Sequence, residues 1–234
     1  MNAMNNPSVA RRSRLFAAAL CLLSLSACSA LRPTATPHPA YYSLDNVDSA
    51  LDSVDSALGS VESVTSAAVP AAAPTLIINP PHAAAGFNSP RIIYVREAHR
   101  LEYFANSEWT DPPARMLAPL LVAAISNTGT FRAVVLTPSA AAGDLRLDTE
   151  IIRLQHEFGA QPSRARFTLR AYLVDNKTRK VIAWREFDTT VPATSENTYS
   201  GVVAANRAVA IVLEKLSVFC AEEGRKVRID NKSK

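Results

Sequence analysis

The residues most capable of chemistry in this sequence are four histidines and three cysteines: His38, His82, His99, His156, Cys21, Cys28 and Cys220. The histidines lack the HExxH spacing that places two zinc ligands on one face of a helix. The seven glycines form neither a GxGxxG nor a GxxxxGK[ST] loop, and no GxSxG elbow presents a serine nucleophile. No spacing therefore predicts a catalytic, metal or nucleotide site, although a site assembled from distant residues stays open. We expect no enzymatic activity and no cofactor.

Cys28 is the residue whose surroundings predict a covalent modification. Three arginines between positions 11 and 14 precede an apolar run over residues 15–27, as in an export signal. That run is short for a membrane-spanning helix, which needs about 20 apolar residues. Residues 25–28, Leu-Ser-Ala-Cys, resemble the bacterial lipobox, in which the cysteine is acylated and the chain is cut before it. The prediction is a signal peptide over 1–27 and a lipidated Cys28; the alternative is an ordinary signal peptide with a chance cysteine.

The residues after Cys28 predict where the anchored protein resides. Acyl chains contribute about 0.8 kcal/mol per buried methylene, so two or three of them anchor a protein firmly without spanning the bilayer. Ser29 is the second residue of the expected mature chain. In the Gram-negative sorting pattern that this signal resembles, an aspartate there retains the protein in the inner membrane. Its absence favours the periplasmic face of the outer membrane, with residues 28–40, rich in Pro, Ala and Thr, as an extended tether.

The charge balance gives no support for nucleic-acid binding, and the cysteine count gives none for a disulfide framework. The net charge of +4 comes from 25 basic and 21 acidic residues, and removal of the three signal-peptide arginines leaves 22 against 21. This balance does not indicate nucleic-acid binding. If Cys28 carries lipid, Cys220 has no partner for an intramolecular disulfide. We expect it to be a buried thiol on the apolar side of a helix.

A heptad pattern occupies residues 41–74, between the tether and the main domain. Its apolar residues alternate at spacings of three and four, which places them on one stripe of a helix: Leu44, Val47, Leu51, Val54, Leu58 and Val61. The segment is short and acidic and contains Gly59, so such a helix alone would be marginal. One hypothesis is a self-association seam or a partner-docking helix, which predicts a homo-oligomer in the first case. The other is a weakly helical spacer.

Residues 75–224 have the pattern of one domain of common size. Several short apolar runs and three longer alternating segments, DLRLDTEIIRL, SRARFTLRAYLVD and KVIAWREFD, predict strands. One helix should open at Pro112–Pro113 and end near Gly129, and a second should cover about residues 198–223. We therefore predict an α+β two-layer domain with a mixed, mainly antiparallel sheet and two helices packed on one face. Residues 225–234 are expected to form a mobile basic tail.

The candidate partner surface consists of Arg91, Tyr94, Tyr103 and Trp109. Interface cores favour tyrosine, tryptophan and arginine, which supports contact with another protein. The alternative is that these large amphipathic side chains pin the strands to the helix. Strand alternation sends Arg91 and Tyr94 to opposite faces, so each hypothesis can hold for different residues.

The same region resembles the signature of the ABC-type transport auxiliary lipoproteins, the group that contains the paraquat-inducible protein C type. The resemblance rests on an R-I-x-Y strand, an L-x-Y-F strand, Trp109 before a proline-opened helix, and Thr-Gly-x-Phe at 128–131. It continues through FTLRAYLVD, KVIAWREF and the alanine-rich last helix, so it covers about residues 41–219. Relative to that pattern the heptad segment looks like an insertion.

The resemblance implies a partner rather than a site. Its members are similar to outer-membrane-anchored partners of systems with an ABC ATPase, a permease and a substrate-binding protein that carries a mammalian-cell-entry (MCE) domain. Such systems move phospholipids or other hydrophobic molecules between two membranes. The implied role is a docking base for the MCE component, with a lipid passage built by several copies as an extension. A second hypothesis is a lipid carrier gated by Gly159–Ser163, and a third is a structural envelope lipoprotein.

Overall fold

The computed structural model describes residues 38–45 and 73–232. It contains nine strands and two helices in the order β1 (Ala40–Tyr42), β2 (Thr75–Ile78), β3 (His82–Ala83), β4 (Arg91–Val95), β5 (Glu102–Trp109), α1 (Pro113–Ser126), β6 (Ala133–Leu136), β7 (Leu145–Glu157), β8 (Arg164–Asp175), β9 (Val181–Pro192) and α2 (Thr198–Lys232). The signal peptide, Cys28, Ser29 and the seam residues Val47, Leu51, Val54, Leu58 and Val61 lie outside these residues.

The sheet is organised around β7, a strand of 13 residues. One edge of β7 pairs antiparallel with β8 from Leu145–Asp175 to Glu157–Arg164, and β9 pairs antiparallel with β8. The other edge pairs in succession with β2, β3 and β4, all parallel. Beyond these, β6 flanks β2, whereas β5 flanks β4 and β1 flanks β5. The sheet is therefore mixed, and its two longest pairs are antiparallel.

Alternation along β8 separates an apolar face from a polar face. Ala165, Phe167, Leu169, Ala171 and Leu173 are fully buried, at 0% exposure. The helices cover this face, α2 against β8 and β9 and α1 against α2. On α2 the residues Val209, Val212 and Leu216 are buried among them, as an amphipathic helix requires. The predicted α+β two-layer domain is confirmed.

Arginine–carboxylate pairs line the opposite, polar face of β7, β8 and β9. Arg166 Nη2 lies 2.8 Å from Asp188 Oδ2, and Arg170 Nη2 lies 2.8 Å from Glu186 Oε2. Hydrogen bonds from Arg166 and Thr168 lower the pKa of Asp188. Exposed pairs of this kind contribute about 0 to 1 kcal/mol each, so they hold the polar face in register more than they stabilise the fold.

The ends of the domain differ from the expected boundaries. Ala40–Tyr42 forms a strand, and Leu44 is 5% exposed because Asn206 of α2 bonds both neighbours of this leucine, Ser43 and Asp45. At the other end α2 continues to Lys232, past the predicted end near Glu223. Gly224 lies within the helix and is buried, and a Cβ at this position would come 2.9 Å from the Phe131 ring.

Cys220 is buried as predicted, with 0% exposure, and burial raises its pKa to about 12. Within residues 38–45 and 73–232, no helix has the length and apolar character to cross a bilayer. The same ranges contain no group of three or more histidine, cysteine, aspartate or glutamate side chains placed to hold a metal ion.

Candidate partner surface and buried histidine cluster

Three adjacent strands place exposed side chains in one row. Glu108 of β5 is opposite Arg91 of β4 and opposite Tyr41 of β1, and residues that are directly opposite share a face of the sheet. The Arg91 guanidinium carbon lies 5.0 Å from the centre of the Tyr103 ring, a cation–π contact. Tyr41 and Tyr103 are 61% and 39% exposed. We name Tyr41, Arg91 and Tyr103 the ribbon surface.

Tyr94 is half-buried and belongs to an aromatic cluster. Its ring centre lies 4.6 Å from that of Phe104 and 5.8 Å from that of Phe158, and the Arg96 guanidinium covers it at 5.0 Å. Edge and tilted contacts of this kind add about 0.5 to 1.5 kcal/mol beyond the buried area. Tyr94 therefore joins the β4–β5 ribbon to the end of β7 and offers a partner only part of its ring.

Trp109 lies in the core and is 3% exposed. Its backbone N–H donates to the Pro90 carbonyl at 2.7 Å, at the end of β5 where the chain turns into α1. A partner has no access to this side chain, because the core encloses it. Of the four predicted surface residues, the structure brings Arg91 and Tyr103 together at the surface, leaves Tyr94 half-covered and buries Trp109.

An irregularity in the β4–β5 pairing precedes the buried Trp109. Arg91 pairs with Glu108, but Ile93, only two residues later, pairs with Tyr103. Four residues of β5, 104–107, therefore face the single residue Ile92 of β4. The three extra residues form an irregularity that re-aims the side chains after it. Tyr41 was not among the predicted residues because a three-residue strand gives no periodic signal.

His156 and Ser163 form a hydrogen-bonded pair that the sequence spacing did not indicate. His156 Nε2 lies 2.9 Å from Ser163 Oγ, and the two side chains are 3% and 0% exposed. The Ser163 N–H donates to Glu196 Oε1 at 2.9 Å, and its carbonyl accepts from Ala193 N at 2.7 Å. A serine and a histidine at this distance can form a nucleophile and base, but a substrate could not reach them through the surrounding core. The pair instead closes the loop between β7 and β8.

The other ring nitrogen of His156 is buried without a hydrogen-bond partner. Nδ1 faces the first turn of α2, where a Cβ on Gly201 would lie 2.3 Å from it. The ring also packs on Phe158, at 4.2 Å between centres. Burial lowers the pKa of His156, with Glu196 opposing the shift, so the folded state favours a neutral ring.

We predict that this histidine makes the domain less stable in acid. The unfolded chain protonates His156 near pH 6.5, whereas the folded state resists protonation, so its contribution is complete above pH 6.5 and declines as the pH falls towards the folded-state pKa. The expected loss in the free energy of unfolding is up to about 1.4 kcal/mol per pH unit. Urea unfolding at about pH 7.5 and about pH 5.5 measures it. His156→Gln should flatten this dependence and the exposed-site control His82→Gln should retain it; an unchanged slope in His156→Gln would refute the assignment.

The space between the sheet and α2 bears on the carrier hypothesis. A cavity of about 10 Å³ lies among Ile92, Trp109, His156, Gly201 and Val202. That volume holds about one water molecule and is far too small for an acyl chain.

Beside the expected gate at Gly159–Ser163, an open cleft of about 190 Å³ is lined by Arg96, Glu97, Glu157 and Arg164 among others. Its charged walls do not suit an apolar ligand, because charged side chains lose hydration when an acyl chain covers them.

Comparison with known proteins gives the following relationships. A family model described as the ABC-type transport auxiliary lipoprotein component matches residues 57–217. The crystal structure of protein XCC0632 from Xanthomonas campestris, of the DUF330 family, is similar at a TM-score of 0.62 and 25% identity, covering 68% of this chain and 90% of that one. A crystal structure of an uncharacterized protein has a TM-score of 0.56 at 13% identity, covering 80% and 98%, which supports the fold alone. No curated protein shows significant similarity to this chain.

Proposed function

Because this chain belongs to the family of ABC-type transport auxiliary lipoprotein components, we propose that it is a non-enzymatic docking base for the MCE-domain component of such a system. Membership makes it a lipoprotein of the cell envelope associated with ABC transport. The match over residues 57–217 carries the proposal, because it includes Arg91 and Tyr103 of the ribbon surface, all of α1 and the part of α2 up to position 217. The permease and the ATPase complete the proposed assembly, with a phospholipid or another hydrophobic molecule as cargo.

Anchoring is proposed to occur through Cys28 at the periplasmic face of the outer membrane. The lipobox at residues 25–28 and the absence of aspartate at Ser29 support this location. The tether joins the domain at β1, whose Tyr41 contributes to the ribbon surface. A partner on this surface would therefore meet the domain close to the point at which the anchor leaves it.

The ribbon surface supports docking through its composition and its rigidity. Tyrosine and arginine are enriched in the cores of protein interfaces, where they contribute a large share of binding energy. Tyr41, Arg91 and Tyr103 stand on three paired strands, and the stacking of Arg91 on Tyr103 fixes both side chains before a partner arrives. Preorganised side chains lose less conformational entropy on binding.

We predict that Arg91→Ala combined with Tyr103→Ala weakens capture of the MCE component at least about tenfold. Interface residues of these types, when buried by a partner, each contribute about 1 to 2 kcal/mol or more. The matched control is Tyr199→Ala on α2, which removes an aromatic side chain that is 65% exposed and is not part of the ribbon surface. Photocrosslinkers placed at positions 103 and 199 in membranes provide the measurement. Equal adducts from both positions, or undiminished capture by the double variant, would reject the ribbon surface as the docking site.

Self-association through the heptad segment is a separate proposal. Leu44 already packs in the core beside α2, so the seam left for a second copy consists of Val47, Leu51, Val54, Leu58 and Val61. The two hypotheses of a seam and of a spacer differ in whether these residues set the oligomeric state. The carrier alternative gains no support from the small cavity described above.

A further inference from the structure

From the tip of the β8–β9 hairpin we infer a second membrane contact, in which this tip binds the surface of an anionic phospholipid bilayer. The contact does not depend on the proposed docking of an MCE component. It consists of three cations, Lys177, Arg179 and Lys180, and three apolar side chains, Val181, Ile182 and Trp184. We name these six residues the hairpin-tip surface.

The apolar side chains of this surface are exposed to solvent and are not packed in the core. Val181, Ile182 and Trp184 are 55%, 37% and 61% exposed, and the Trp184 ring stacks on Tyr172 at 6.3 Å between centres. Tryptophan and tyrosine are the side chains that concentrate at the boundary between lipid headgroups and acyl chains. The stacked pair stands on two paired strands, so it is held in place without a partner.

The charged part of the surface is basic and lacks ion pairs. Arginines elsewhere on this face, such as Arg166 and Arg170, are paired with carboxylates. In the part of the chain that the structure describes, no carboxylate lies within 4.0 Å of a charged nitrogen of Lys177, Arg179 or Lys180. The nearby Asp175 carboxylate instead accepts hydrogen bonds from Thr178, at 2.6 Å from N and 2.8 Å from Oγ1. Exposed cations beside exposed apolar side chains complement a surface that is anionic and partly apolar.

Two observations favour a bilayer over an acidic protein. Lysine is depleted in protein–protein interfaces, yet two of the three tip cations are lysines, which phospholipid headgroups attract at about 1 kcal/mol per residue. The family also places this chain at a membrane, because its members are lipoproteins. An acyl anchor combined with a basic patch is a known mode of membrane association, in which the patch adds an electrostatic contact to the anchor.

The last turns of α2 extend the surface. Lys215 Nζ donates to Thr189 Oγ1, and the Arg185 guanidinium lies over the Phe219 ring at 4.8 Å. These contacts show that α2 runs antiparallel to β9, so its C-terminal end approaches the hairpin tip. There Ile229 is 64% exposed and Arg225 is exposed, which adds an apolar and a basic side chain at the same end of the domain.

The hairpin tip and the ribbon strand β4 are at opposite ends of β7. The tip is at the Leu145 end, whereas β4 pairs with the Glu157 end. The inferred membrane contact therefore does not use the residues of the ribbon surface.

Vesicle flotation of the full mature chain carrying Cys28→Ser, which has no acyl group, tests the inference. We expect flotation with phosphatidylethanolamine vesicles that contain about a third phosphatidylglycerol, and none with phosphatidylcholine alone. Binding should fall as sodium chloride is raised, because salt screens the attraction. Trp184 emission should shift to the blue on binding, and Trp184→Ala should lose that shift while the buried Trp109 remains silent.

Charge variants distinguish this surface from a general effect of charge. Lys177→Glu with Lys180→Glu should weaken binding by about tenfold or more. The control, Arg207→Glu with Lys215→Glu on α2, changes the net charge equally and should bind as the parent chain does. All four sites are exposed, so thermal unfolding of the variants should match the parent. Equal losses in both pairs, absence of flotation at low salt, or Trp184-dependent dimerisation without vesicle binding would each overturn the inference.

Discussion

Cys28→Ala is expected to release the protein from the membrane fraction. Without the thiol no diacylglycerol can be attached, so a mature chain that starts at this position carries no acyl anchor. Two or three acyl chains, at about 0.8 kcal/mol per buried methylene, supply most of the membrane affinity. A hairpin-tip contact alone would be salt-sensitive. Fractionation in high salt, with mass measurement of the mature N-terminal peptide, therefore separates the two attachments.

The matched control for this experiment is Cys21→Ala, which alters the other cysteine of the signal segment and should leave anchoring and processing unchanged. If Cys28→Ala remained in the membrane fraction after a high-salt wash and still lost its signal peptide, acylation at this residue would be excluded. Membrane attachment would then have to come from another part of the protein.

Gly201→Ala is expected to destabilise the domain by about 3 kcal/mol, at the upper end of the usual cost of overpacking a core. The new Cβ would come 2.3 Å from His156 Nδ1 and 2.8 Å from Cε1, where the ring is held by Ser163 and by Phe158. Neither the ring nor the first turn of α2 can move without opening the core. Urea unfolding at neutral pH measures the loss.

Gly159→Ala provides the control, because its Cβ would lie 4.0 Å from the Arg96 carbonyl, an ordinary contact. In addition, His156→Ala should relieve part of the cost of Gly201→Ala, so the two changes should not be additive. A Gly201→Ala variant as stable as the parent chain, or additive effects of the pair, would contradict the close approach of Gly201 to His156.

Strong periodic signals made the long elements predictable from the sequence. The alternation of Ala165, Phe167 and Leu169 with polar neighbours identified β8, because one face of that strand is buried and the other is solvated. The prolines at positions 112 and 113 identified the first turn of α1, because proline is well tolerated at the start of a helix. Prediction from the sequence was less successful for elements whose formation depends on tertiary packing. β1 and β3 have three and two residues, too few to show a period.

The candidate site was predictable in its residue types but not in its geometry. Arg91 and Tyr103 were identified from composition, and the structure stacks them. Trp109 has the same interface-like character, yet it lies in the core, after the irregularity in β5. His156 and Ser163 meet because β7 and β8 pair across a loop, and Gly201 reaches them only when α2 packs on the sheet. No local pattern carries that information.

We propose that this chain is an accessory of an ABC transport system with an MCE component. Affinity purification of the tagged full-length protein from gently solubilised envelopes, followed by mass spectrometry of co-purifying proteins and lipids, tests it most directly. We expect recovery of an MCE-domain protein together with its permease and ATPase. Recovery of bound lipid without any of these proteins would contradict the docking function and support a carrier.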